Sequence, residues 1–165
     1  MAEMVEEIVS LEEDTQKDKF LTFSLKKEFY GVEICYVTEI IGIQPITEVP
    51  ELPAYIKGII NLRGKIIPVM DVRLRFNKEP IEYNDRTCVI VVDVKDISIG
   101  LIVDAVSEVL DISANDIVAP PEVNVSSHHR FIKGIGKVGN DVKLLLDCEK
   151  LLTDDDASVI TSLKK

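Results

Sequence analysis

The sequence predicts a mainly β fold built as two small five-stranded antiparallel barrels, with short helical turns and one terminal helix. Three observations carry that prediction. Apolar runs are short, rich in β-branched residues, and separated by frequent turn residues. No helical stretch of about 12 residues separates any two of them, as a parallel βαβ sheet would require. The chain also nearly repeats itself. Residues 55–76, YIKGIINLRGKIIPVMDVRLRF, align without a gap on residues 131–152, FIKGIGKVGNDVKLLLDCEKLL. Ile56-Lys57-Gly58-Ile59 falls on Ile132-Lys133-Gly134-Ile135, and Asp71 falls on Asp147. Residues 31–40 align on residues 100–109, where Gly, Val and Glu recur at the same spacing. Two matches in the same order mark two copies of one β unit.

Composition narrows the function classes. A chain of 165 residues holds one compact domain or two small ones. Its apolar 46% is mostly Ile, Val and Leu, without Trp, which suits packing more than stacking on bases or sugars. The formal net charge of −10 repels polyanions, and no basic patch is interleaved with aromatics, so nucleic acid is not an expected partner. Cys35, Cys88 and Cys148 lie far apart in apolar runs, an odd count that fits neither a disulfide framework nor a zinc site. They read as buried hydrophobes in a reducing compartment. No signal peptide opens the chain, and no apolar run approaches the roughly 20 residues that span a bilayer. The expected location is cytoplasmic, without membrane insertion.

Taken in order, residues 1–18 form an acidic N-terminal tail, in which seven acids from Glu3 to Asp18 face only Lys17. The first barrel is expected over residues 19–84. Residues 20–25 form a β-prone run, Lys26-Lys27-Glu28 a turn, and Phe29 starts the answering strand. Residues 37–43 are a further β-branched run. Pro45, Pro50 and Pro53 break the loop that follows and restrict its backbone. One helical turn is expected at 54–57. The hairpin of residues 58–71 turns at Arg63-Gly64. Pro68 lacks an N–H, so its strand is expected at an edge or bulged. The polar residues 77–86 mark the boundary.

The second barrel is expected over residues 85–152. Residues 87–94 are nearly all apolar, so both faces of that strand must be covered. Lys95-Asp96 is a turn, and residues 97–103 answer it. Residues 106–112 follow. Ser113-Ala114-Asn115-Asp116 has the form of a capping box and predicts one turn of helix. The hairpin of residues 131–147 closes the copy. At residues 153–165, acids precede Val159, Ile160 and Leu163 and lysines end the chain, which suits a terminal helix.

Residues 58–65 place five residues between their glycines where a Walker A loop has four, and Ile66 stands where Ser or Thr would hold magnesium. A hairpin turn explains both glycines without a ligand. His128-His129 lacks a Cys or carboxylate close in sequence to complete a metal site. Ser127 beside His128 is not a nucleophile arrangement. Asp71, Asp93, Asp104 and Asp147 are spread along strands, whereas acid–base work needs converging carboxylates. No catalytic residue, cofactor or metal ligand is assigned. Two apolar clusters remain: Ile40, Ile41, Ile43, Ile46 and Val49, and in the second copy Val106, Val109, Leu110 and Ile112. They form either the seam between the barrels or a groove for a partner helix.

Residues 31–40 (G-V-E-I-x-x-V-x-E-I), Pro53-Ala54-Tyr55-Ile56-Lys57-Gly58, and Asn61-Leu62-Arg63-Gly64 with Ile67-Pro68-Val69-Met70-Asp71 closely resemble the CheW family of bacterial chemotaxis coupling proteins. Gly100-Leu101-Ile102-Val103-Asp104, Val106-Ser107-Glu108-Val109-Leu110 and Glu149-Lys150-Leu151-Leu152 fit as well. The resemblance runs from about Lys19 to Leu152 and leaves out the acidic tail. It implies two intertwined SH3-like barrels and a scaffold without catalysis. Its implied partners are a CheA-type histidine kinase, through that kinase's regulatory domain, and the helical tips of methyl-accepting chemoreceptors. Val37, Glu39, Lys57, Arg63 and Val109 fall at motif positions associated with coupling. Arg63 is expected either to project outward or to fold back on Glu39. The alternatives are the regulatory domain of the kinase itself and, further off, a small enzyme.

Overall fold

The computed structural model describes residues 18–120, 131–152 and 160. The tail up to Lys17, the His128-His129 pair with Ser127, and the terminal helix fall outside these, except for Ile160, which is buried in the central core.

Eleven strands are described: β1 Lys19–Leu25, β2 Glu28–Glu33, β3 Val37–Gly42, β4 Ile56–Leu62, β5 Lys65–Asp71, β6 Cys88–Val94, β7 Ile97–Val103, β8 Ala105–Asp111, β9 Ile117–Val118, β10 Ile132–Val138 and β11 Asp141–Leu146. One sheet has the order β8-β1-β2-β11-β10-β9 and the other β3-β6-β7-β5-β4. The fold is mainly β, as the sequence predicts.

The repeat is visible in the hydrogen bonds. Asp71 N–H donates to the Tyr55 carbonyl and Asp147 N–H to the Phe131 carbonyl, both at 2.7 Å. Asp71 caps the short helix Val72–Arg75 by accepting from the N–H groups of Arg73 and Leu74. Asp147 caps Cys148–Leu151 in the same way, accepting from Glu149 and Lys150. The register of β4 on β5 shifts between Ile56 and Gly58, and that of β10 on β11 shifts at the aligned Ile132 and Gly134. Even the sixth strand has a counterpart. β9 pairs Val118 with Ile135, and Thr47 forms a single bridge to the aligned Ile59.

Each sheet nevertheless draws strands from both copies. The β1–β2 hairpin lies among β8 to β11, and the β6–β7 hairpin lies among β3 to β5. The chain passes from β2 to β3 through the 3-10 turn Ile34–Tyr36, and from β7 to β8 through Asp104 alone. The exchange creates two parallel pairings, Leu145 beside Gly31 in β11–β2 and Val69 beside Gly100 in β5–β7. The expectation of purely antiparallel sheets is corrected on this point. Hairpins are antiparallel by construction, but the exchanged hairpins meet their hosts side by side.

Three local expectations also change. Residues 54–57 form no helical turn. A backbone hydrogen bond from Ile56 to the Pro53 carbonyl makes a tight turn there, and β4 starts at Ile56. Pro68 lies in a strand with neighbours on both sides and pairs with Ile59 of β4, while the parallel pairing with β7 begins only at Val69. Of the cysteines, only Cys148 is buried; Cys35 is exposed and Cys88 half-buried. Burial pushes the Cys148 thiol up to about 12. Ser113 does cap a single turn, the 3-10 turn Ala114–Asp116, by accepting from the Asn115 N–H.

The central core lies between the sheets. Phe23 stacks on Tyr30, Tyr30 meets Phe76, and Phe76 stacks on Phe131. The Arg75 guanidinium sits 4.3 Å from the centre of the Tyr55 ring and 4.7 Å from that of Phe131. Alternate residues of β6 serve two cores. Ile90, Val92 and Val94 enter the central one, while Val89 and Val91 join Ile60, Ile67, Val69 and Ile102 on the other face of the five-stranded sheet. That explains why the β6 segment reads as continuously apolar. The six-stranded sheet has a smaller second core of Phe20, Ile112 and Leu145.

Candidate functional site

β3 and β4 are the two edges of the five-stranded sheet. The sheet curls enough to bring side chains of both edges together. Ile41 on β3 and Leu62 on β4 pack on one cluster, and Arg63, the residue after β4, reaches Glu39 on β3 at 3.1 Å. The Arg63 side chain remains largely exposed, at 78%. Arg63 and Gly64 form a two-residue turn with φ of 53° and 84°, and the Gly64 N–H donates to the Asn61 side chain. Positive φ at both central positions matches the right-handed twist of the strands, but a non-glycine residue rarely adopts it. Of the two expected placements of Arg63, the structure has the one folded back on Glu39.

Beside this ion pair lie two adjoining depressions of about 290 and 310 Å³. Leu62, Ile67 and Val91 supply apolar surface, and Thr38, Arg63, Lys65, Asp93 and Ser98 supply polar surface. The Ser98 hydroxyl donates to Asp93.

The other expected site residues are placed as follows. Val37 is half-buried two positions before Glu39, paired with Val92 and packed on the central core. Lys57 is half-buried on β4. Its counterpart Lys133 pairs with Glu33, whereas no acidic partner for Lys57 is found among the described residues. Val109 lies on β8, in the other sheet. The structure therefore brings Glu39 and Arg63 into contact, with Val37 on the same strand as Glu39, and sets Val109 apart.

Val109 has a counterpart of its own. The repeat aligns it with Ile40, and both are exposed, at 49% and 44%. Ile66 aligns with Val142, exposed at 48% and 54%. Ile40 and Val109 belong to the two apolar clusters that the sequence marks, whereas Ile66 and Val142 are not singled out by it, although the repeat alignment pairs them. What the alignment lacks is exposure.

The carboxylates considered for acid–base work hold structure instead. Asp71 caps its helix and accepts from the Tyr83 hydroxyl, and Asp147 caps the other helix. Asp93 accepts from Ser98. Asp104 accepts from Arg73 Nε at 2.6 Å, forms an ion pair with the same guanidinium, and accepts from the Lys26 N–H at 2.7 Å. Burial pushes the Asp104 carboxyl up, but these hydrogen bonds and the Arg73 charge outweigh it and hold the group below its ordinary value. Residues 58–65 run as strand, turn and strand, with no loop to cradle a phosphate. Among the described residues no three of His, Cys, Asp and Glu converge to hold a metal ion, and no helix is long and apolar enough to cross a membrane.

The model of the CheW-like domain matches residues 19–156. The chain belongs to the CheW family. It is 36% identical to the chemotaxis protein CheW of Klebsiella aerogenes over 92% of both chains. It is 31% identical to that of Treponema pallidum over 88% of both. The crystal structure of the scaffolding protein TtCheW from Thermoanaerobacter tengcongensis superposes with a TM-score of 0.77 at 38% identity, covering 84% of this chain and 90% of that one. Like these CheW relatives, the chain is a chemotaxis scaffold or adaptor.

Proposed function

We propose that the chain couples a CheA-type histidine kinase, through the kinase's regulatory domain, to the cytoplasmic tips of methyl-accepting chemoreceptors. It catalyses nothing itself, works in the cytoplasm, and binds neither nucleic acid nor membrane. Glu39 and Arg63 present the kinase-facing polar contact, with Val37, Lys57 and Val109 completing the coupling surface.

One observation supports this reading above the others. Large apolar side chains are exposed at equivalent positions of the two sheets, Ile40 with Val109 and Ile66 with Val142. A monomer gains nothing from exposing the same positions twice, whereas a linker with two similar faces needs both. The Glu39–Arg63 pair makes one face distinct, because Glu108 and Gly139 stand at the aligned positions of the other copy.

The test is a reconstituted kinase assay with receptor-bearing membranes, with and without the chain. Receptor-dependent autophosphorylation should rise at least tenfold when the chain is added. Arg63→Glu, which sets two acids side by side, should leave circular dichroism unchanged and remove most of that rise. Full activation by the variant would take Arg63 off the coupling surface. No stimulation by the unaltered chain would defeat the coupling reading.

A further inference from the structure

The duplicated architecture lets one copy serve as a template for the other. In the five-stranded sheet, Ser98 and Ile67 line the depressions beside Arg63. The parallel pairings fix their counterparts. Val69 lies beside Gly100 in one sheet and Leu145 beside Gly31 in the other, so Ile67 and Ser98 correspond to Lys143 and Phe29. Phe29 is 40% exposed, and the buried Lys143 ammonium lies 4.1 Å from the centre of its ring. Where the six-stranded sheet carries a phenylalanine ring against a lysine, the five-stranded sheet has Ser98 beside Ile67, Val91 and Leu62.

We infer that the hollow beside Ser98 receives an aromatic side chain from the surface of the kinase regulatory domain, which seats itself as Phe29 is seated in the sister sheet. This rests on the coupling reading above and names the chemistry of that contact. The hollow has room for one ring. Its apolar wall of Leu62, Ile67 and Val91 gives the ring a hydrophobic contact. Lys65 at the rim supplies the cation that Lys143 supplies to Phe29, while Arg63 is paired with Glu39, and Asp93 lines the same depression. Lys65 is exposed, and no acidic partner for it is found among the described residues. The repeat places Asp141 opposite Lys65 and Gly139 opposite Arg63, so these two cations belong to the five-stranded sheet alone.

The substitution Ser98→Phe installs the plug of the six-stranded sheet. The probe is the purified regulatory domain of a CheA-type kinase carrying fluorophenylalanine and fluorotyrosine. Titrated with the unaltered chain, one of its fluorine resonances should shift, and Ser98→Phe should abolish that shift and raise Kd at least tenfold, the usual effect of losing a buried aromatic anchor. Phe29→Ser, in the other sheet, should leave Kd within twofold. If Ser98→Phe does not fold, Ser98→Leu fills the same space, and the fluorine shift with the unaltered chain needs no variant. Binding with no shifted resonance, or equal binding by a folded Ser98→Phe chain, overturns the aromatic seat and leaves the coupling reading intact. Absence of any binding by the unaltered chain overturns both. Self-association of the chain that is lost in both Phe29→Ser and Ser98→Phe would show a second copy to be the occupant and overturn the assignment to the kinase.

Discussion

Arg63 sits where local preference would not put it. Its φ of 53° is left-handed, and the aligned residue in the other copy is Gly139, with φ of 61°. A left-handed non-glycine residue costs roughly 1–2 kcal/mol, whereas an exposed ion pair such as that with Glu39 contributes about 0–1 kcal/mol. Strain outweighs the pair, so stability does not explain the arginine. Arg63→Asn, which tolerates the left-handed region, should therefore raise Tm by about 2 °C while weakening kinase coupling. A clear fall in Tm would make the pair with Glu39 a structural clamp. Asp104 shows the opposite balance, since its partner Arg73 is buried. The folded carboxyl lies below its ordinary value. Its contribution is thus complete above the unfolded value of about 3.9 and is lost as pH falls through the lower folded value. Asp104→Asn leaves Arg73 without its anion and should cost about 3 kcal/mol at pH 7. Thermal melts from pH 7 to pH 2 should converge with the unaltered chain as the solution becomes acidic, and parallel curves would mean that Asp104 is not the titrating group. At this scale the sequence marked Arg63 and Glu39 through their motifs. The roles of Asp104 and Arg73 were hidden, because 31 residues separate the partners.

Strands and hairpins were legible as elements because their signals are local. Turn residues, β-branched runs and the repeat itself mark β1 to β8, β10 and β11 within a residue or two. The parallel pairings were not legible, since nothing near Gly31 or Gly100 states which distant strand lies beside it. Once seen, they explain part of the crowding at both glycines, with β6 supplying the rest at Gly100. A Cβ on Gly100 would stand 2.6 Å from Val89 Cγ1 and 3.0 Å from Val69 Cγ1. On Gly31 the closest atom is Leu145 Cδ2 at 3.0 Å, with Phe20 Cβ next at 3.5 Å. Valine methyl groups are held at a stiff χ1, while a leucine terminus can rotate away. Gly100→Ala should cost about 2–3 kcal/mol and Gly31→Ala about 1 kcal/mol or less, read from denaturant midpoints at equal m. Equal losses would mean that the two crossings are not packed as described.

The units of repetition and the units of packing differ across the whole molecule, and the joints between strands explain why. β8 is antiparallel to β1, as β3 is to β6, so each copy's third strand runs parallel to the other copy's second strand. For copy two to close on itself, β8 would have to pair with β6. The chain would then return from the end of β7 to the level of its start, about 20 Å for a seven-residue strand. Asp104 alone joins β7 to β8 and spans about 3.5 Å. The joint forbids closure within the copy, so the strand runs straight on into the other sheet. The three-residue turn Ile34–Tyr36 imposes the same choice on copy one. We propose residues 84 and 85 as the boundary between copies, with exchanged hairpins that hold the copies together as a domain swap holds a dimer. Residues 19–84 and 85–152 expressed apart should each fail to form a folded monomer. Mixed, they should recover the amide spectrum of the intact chain as a 1:1 complex by size exclusion with light scattering. A monomeric, cooperatively folded 19–84 fragment would show that the short joint can rearrange, and the exchange would then follow from sequence preferences in the strands themselves.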